Sequence, residues 1–310
     1  MTADSRPPHA LAPYGAFAGC SLVWGSTFLL ISIGNETVPP LWAATLRLGL
    51  AAIVLVALTR LTDQPLPRGP ALSAAAGFGF LNFGLSFCLL YWGEKTVPSG
   101  LAAVLYGTVP LSTALFARVA GLERLHALKI TGALVALSGI AVIFSGQLTA
   151  RVSALPLAAI FTAATCASAS GVVLKRGPRQ HPFGANAVGA LVGFAVCGAG
   201  SFLLREPHAI PTTAPAIAPI LYLTFAGSVV AFGLYAWLVN HWDVTRISFV
   251  AVVVPVVALL LGTAVRHERL TSAHQAGSLL VLAGLVLGIV GDRRRAAARA
   301  PALAGAREAS

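Results

Sequence analysis

The chain is 310 residues long, 57% hydrophobic and only 10% charged, with a mean hydropathy of +0.82. Soluble globular domains carry roughly 25% charged residues, so this composition excludes a water-soluble fold and makes lipid the solvent. The net charge of +11 invites a nucleic-acid reading, but the arginines gather beside apolar segments and in the tail, where they serve to orient a membrane protein, and no nucleic-acid partner is expected.

A transmembrane helix needs about 20 mostly apolar residues. Between charge clusters and Pro/Gly punctuation, the sequence predicts spans at 14–33, 41–60, 71–92, 98–118, 126–145, 153–174, 183–204, 217–240, 245–265 and 272–290. Residues 1–13 are polar and proline-bearing and the first apolar run is already of span length, so no cleavable signal is expected. The runs are continuous and twice the length of the ~10-residue alternating segments of a β-barrel, which makes helices the expectation. The fold class is therefore an all-α integral membrane protein with ten transmembrane helices.

Placing the amino terminus inside puts fifteen Lys and Arg on the cytoplasmic side, among them Arg60, Arg118, Lys175 and the tail arginines, and only Lys95, Arg151, Arg205, Arg266 and Arg269 on the other. This bias predicts a multi-pass protein of the inner or plasma membrane with both termini cytoplasmic. Cys20, Cys88, Cys166 and Cys197 lie inside apolar stretches at no metal-ligand spacing and read as buried free thiols. Gly15/Gly19, Gly189/Gly193 and Gly284/Gly288 have the Gly-x-x-x-Gly spacing that allows close helix approach in lipid; it suits a compact bundle and leaves a homodimer open.

Shifting the sequence by 145 positions pairs Phe87 with Phe232, Trp92 with Trp237, Pro110 with Pro255, and Glu123-Arg124-Leu125 with Glu268-Arg269-Leu270; Gly132 with Gly277 and Gly139 with Gly284 keep the register. The chain is thus a duplication. Each copy holds five spans, an odd number, so the two copies cross the membrane in opposite senses. Inverted repeats are a signature of secondary transporters, in which two similar bundles expose a central site to alternate sides.

Trp24-Gly25-Ser26 in the first span, Leu46-Arg47 in the second, the Val97-Pro98-Ser99-Gly100-Leu101-Ala102-Ala103 run opening the fourth, and Pro110 and Glu123-Arg124-Leu125 with their second-half echoes carry a family resemblance. The sequence resembles the drug/metabolite transporter superfamily, and within it the ten-helix transporters built from two EamA-type repeats. The resemblance covers residues 14–290. It divides the chain into a first repeat at 14–146, a second at 153–290 and a basic cytoplasmic tail at 291–310. Where the first copy has Trp-Gly-Ser the second has Ala169, Ser170 and Gly171, so spans one and six are not expected to act alike. The resemblance implies export or exchange of amino acids, related metabolites or toxic organic compounds, without ATP and without a prosthetic group.

Arg47 is the one charged side chain well inside a span. At about seven residues from the start and 1.5 Å per residue it lies roughly 10 Å deep, where a charge costs ~2.5–3.5 kcal/mol and pairs, faces the interior or lines a pathway. It is expected either to contact an anionic substrate group, which a planar guanidinium suits, or to pair with Glu36 or Glu94 or snorkel to the interface. Pro110 and Pro255 each free a carbonyl four residues back, on Tyr106 and Ala251. Matching broken helices in two halves point to a transport site, so both prolines are candidate hinges and Tyr106 a candidate contact, against the plainer reading of packing kinks.

Trp24 is a candidate cavity wall, whereas Trp92 and Trp237 at span ends read first as interfacial anchors. Asn82 and Ser86, one turn apart, form a polar stripe that suits either a ligand or a neighbouring helix, and Tyr235 is a candidate of the same kind.

No Walker-type phosphate loop is present. Nor does an Asp or Glu lie deep in any span, Glu36 and Glu94 falling at loop margins, so facilitated transport or exchange fits at least as well as proton antiport. No catalytic residue, metal site or cofactor is expected, and the partners are a small-molecule substrate and the bilayer. The alternative is a membrane enzyme acting on a lipid or prenyl substrate. Its only close acid-base candidates, His241 with Asp243 and His267 with Glu268, fall on opposite sides. A sensor or scaffold would carry an appended soluble domain.

Overall fold

The computed structural model describes residues 11–97, 99–147, 152–266 and 271–288. Among these residues the chain forms ten helices and no strand. With no water in the hydrocarbon layer, a helix is how an open chain satisfies its own backbone there.

Helix α1 spans Ala12–Asn35 and α2 Pro40–Leu61. Helix α3 runs over Pro70–Gly93, and α4 comprises Ser99–Tyr106 and Val109–Val119. Helix α5, Ala127–Ile143, completes the first half. In the second half α6 is Ala154–Arg176, α7 Pro182–Leu203 and α8 Ala214–His241. Helix α9 comprises Val244–Ser248 and Val250–Arg266, and α10 is Ser272–Gly288. A proline in the first turn opens α1, α2, α3, α7, α8 and the second segment of α4. Its missing N–H falls where no intrahelical partner exists, so it marks a start without interrupting the helix.

Two features carry the duplication into three dimensions. Helices α3 and α8 each contain a π-helical stretch, Gly79–Ser86 and Leu223–Ala231, at positions equivalent under the sequence repeat. Such stretches are rare and concentrate at functional sites. Helices α5 and α10 cross glycine on glycine: a Cβ on Gly132 would stand 2.6 Å from the Gly284 carbonyl oxygen, and one on Gly139 2.6 Å from that of Gly277. Exchanging the halves turns the first contact into the second, as a twofold axis through the crossing requires. The two repeats are therefore inverted copies.

The halves interlock, with α7 packed along α2 and α3, and α1 along α8 and α9. Carboxylates lock both ends of the bundle. At the end where α1 begins, Glu123 accepts from Thr245 N at the start of α9 (3.2 Å) and pairs with Lys129 (3.3 Å). At the opposite end Glu206 accepts from Leu41 N (3.3 Å) and Trp42 N (2.9 Å). It thereby supplies the cap that α2, opening on Pro39-Pro40, lacks of its own.

Candidate functional site

A cavity of about 130 Å³, counted as space open to the centres of water-sized spheres, lies mid-bundle among α1, α2, α3, α4, α6, α8 and α9. By that measure a water needs ~10–15 Å³, so the space suits one small solute. Trp24, Arg47, Asn82, Ser86, Tyr106 and Tyr235 all border it, as does Pro255; Pro110 does not, though its neighbour Val109 does.

Arg47 of α2 is 2% exposed. Its Nε donates to Ser228 Oγ (2.9 Å) and its Nη1 to Tyr91 Oη (3.0 Å), while the guanidinium carbon sits 4.7 Å from the Phe87 ring centroid. Among the described residues no carboxylate pairs with it. The expected partners Glu36 and Glu94 are thus replaced by two hydroxyls and a ring, and the side chain does not snorkel. Nη2, which makes no hydrogen bond to a described residue, lies against Gly227, where a Cβ would come within 2.9 Å. A guanidinium so placed has its shape matched and its charge uncompensated, which favours an arriving anion.

Two further donors at the cavity are unsatisfied. Asn82, on the π-helical stretch of α3, leaves Nδ2 buried and unpaired, and Trp24 leaves Nε1 likewise. Ser86 and Tyr106 hydrogen-bond each other (3.1 Å), so this part of the polar stripe joins α3 to α4. The Trp24 ring lies 4.8 Å from Phe232 and 5.6 Å from Tyr235, and Phe28 meets Tyr106 edge-on at 5.7 Å. Donors without acceptors, set among aromatic faces, suit a carboxylate borne by an organic body.

The two prolines act differently. Helix α4 ends at Tyr106 and restarts at Val109 with Pro110 in its first turn. Pro255 lies inside a continuous segment, and the discontinuity of α9 falls at Phe249, whose carbonyl is shared by Val252 N (3.1 Å) and Val253 N (3.4 Å). Val250 and Ala251, just past that break, line the cavity together with Ile247 and Ser248 before it.

The residues that sequence reasoning missed are Tyr91 and Ser228. Tyr91 and Ser228 carry no local signal, their role depending on helix rotation. Glu94, expected at a loop margin, has both carboxylate oxygens buried and unpaired. Asp243 lies 3.7 Å from Lys129 and His241 stacks on Trp237 at 4.0 Å, so this pair is engaged in packing; His267 and Glu268 fall outside the described residues.

A model of the EamA-like transporter family matches residues 13–145 and again 154–290. The chain belongs to the EamA-like transporter family. This EamA-like chain is 31% identical over 286 residues to the "Uncharacterized inner membrane transporter YedA" of Escherichia coli strain K12, covering 90% of each protein. It is 27% identical over 292 residues to the "Probable amino-acid metabolite efflux pump" of Salmonella typhimurium, covering 90% of this chain and 95% of that one. A solved protein crystal structure superposes with a TM-score of 0.74 at 20% identity, over 93% of this chain and 99% of the other, and shares the fold. The protein is a multi-pass membrane transporter of the drug/metabolite type.

Proposed function

We propose that this transporter is a secondary exporter of amino acids and related small metabolites bearing a carboxylate, working by alternating access between its two halves. The observation that carries the reading is Arg47: a buried cation at the central cavity, held by Ser228 and Tyr91, with no carboxylate partner among the described residues. Trp24 and Asn82 supply the further donors, Ser86 and Tyr106 the hydroxyls that suit a substrate ammonium, and Tyr235 a wall of the cavity. Pro110 and Pro255 are the hinges about which the segments lining the cavity tilt. The two repeats form the moving bodies, with both termini in the cytoplasm. The name of the Salmonella typhimurium relative, an amino-acid metabolite efflux pump, supports the substrate class.

Purified protein in sealed proteoliposomes tests this directly, with uptake and counterflow measured across anionic, zwitterionic and cationic amino acids. A lost charge-assisted hydrogen bond costs ~1.5–3 kcal/mol, so Arg47→Ala should lower flux of the carboxylate-bearing substrate at least about tenfold. Unchanged flux removes Arg47 from the binding role. Turnover of a lipid by protein that moves no amino acid overturns the transport reading.

A further inference from the structure

Glu94 directly follows the last residue of α3, at the end of the bundle away from the start of α1. Leu90, one turn earlier on the same face, lines the cavity. Both Glu94 carboxylate oxygens are buried and neither accepts a hydrogen bond. Among the described residues no cation pairs with it. Tyr91 of α3 and Tyr106 of α4 offer hydroxyls already bonded to Arg47 and Ser86. Asn35 of α1 donates to the Tyr91 carbonyl (3.4 Å) and leaves its own Oδ1 unpaired. Helix α6 presents Ile160 and Pro156 against Gly93, and Glu36 and Lys95 are exposed. An unpaired carboxylate in such surroundings is far less favourable than its neutral acid, and burial pushes the Glu94 carboxyl up to about 8.

We propose that Glu94 is a proton-binding site of the transport cycle, holding a proton while this end of the bundle is shut and releasing it to water when α3 and α4 part. The O–H bond of the carboxyl breaks on opening and the proton passes to solvent; reprotonation is required before the end can shut again. The proton is given to and regained from the water on one side, so Glu94 gates the cycle by pH without carrying a net proton across the membrane. The proposal rests on the alternating-access reading above.

The direction of the pH effect follows. Between the ordinary value of 4.5 and about 8, Glu94 is ionised when exposed and neutral when buried. The shut form therefore binds one more proton than the open form, and its population relative to the open form falls about tenfold per pH unit.

Hydrogen exchange of residues 88–97 in lipid nanodiscs reads the opening without any substrate. After correction for intrinsic exchange, the wild type should open about tenfold more per pH unit over that interval. Glu94→Gln, which mimics the protonated acid, should stay shut with no slope, and Glu94→Asp should recover one. A wild type without slope, or a slope that survives in Glu94→Gln, overturns the proposal. In proteoliposomes held at equal pH on both sides, Glu94→Gln should lose the pH dependence of flux shown by the wild type, and a pH dependence equal to wild type likewise overturns it. If the wild type moves no amino acid at all, the transport reading falls, while the exchange slope still decides whether Glu94 gates on its proton.

Discussion

Arg47 offers five N–H donors and spends two on Ser228 and Tyr91. Tyr91→Phe leaves Nη1 unpaired beside the Phe87 ring and should destabilise the protein by about 1–3 kcal/mol, read as a lower midpoint of thermal unfolding in detergent. Arg47→Lys keeps the charge but loses the planar fork that reaches Ser228 and Tyr91 together. Its flux should resemble Arg47→Ala more than wild type, and wild-type flux would reduce the role of Arg47 to bare charge. That Arg47 needed a reason was legible from one charge inside an apolar run. Its partners were not: Tyr91 is 44 and Ser228 181 positions away, and only helix rotation selects these hydroxyls over the carboxylates at similar depth. Glu94 does stand at the loop margin just past α3, but its burial was not legible, because distance from a span end measures sequence, whereas burial depends on how the following turn folds against α1, α4 and α6.

The span limits read from hydropathy and proline agree with the helices to within a few residues, since a first-turn proline fixes a start physically as well as statistically. Interruptions within helices were harder to place. The matching prolines marked both α4 and α9, but the break in α9 falls at Phe249, and the π-helical stretches of α3 and α8 left no trace in hydropathy. Two element-level predictions follow from the packing. Glu206→Ala removes the acceptor that caps α2 and should cost ~0.5–2 kcal/mol, with exchange rising first at the α2 amides of Leu41 and Trp42. Gly132→Leu places atoms where a Cβ already meets the Gly284 carbonyl oxygen at 2.6 Å, an overpacking worth ~1–3 kcal/mol. Gly233→Ala, with nothing within 4 Å of its Cβ, is the control and should be neutral or gain ~0.4–1 kcal/mol. Equal melting temperatures for the two glycine variants would contradict the packing assigned to the crossing.

At the scale of the whole molecule, the architecture is symmetric and the chemistry is not. Under the repeat register, Asn82, Ser86, Tyr91, Glu94 and Tyr106 correspond to Gly227, Ala231, Ala236, Val239 and Ala251. The first half supplies most of the polar groups at the cavity; the second adds Tyr235 and Ser248 among small or apolar side chains, with Ser228 holding Arg47. This asymmetry was readable in the sequence once the register was known, whereas the meeting of seven helices at one cavity required the structure. Orientation is checked by impermeant maleimide on single cysteines: Lys95→Cys should react in intact cells and Thr62→Cys only after permeabilisation, with the reverse pattern placing the termini outside. The glycine crossing of α5 and α10 has one more consequence. Position 132 and its equivalent 277 touch 284 and its equivalent 139, each kind of site meeting the other kind across the axis. This is the isologous pattern of a C2 homodimer, so a single five-helix unit, present in both membrane orientations, already holds the self-complementary surface needed to pair with itself.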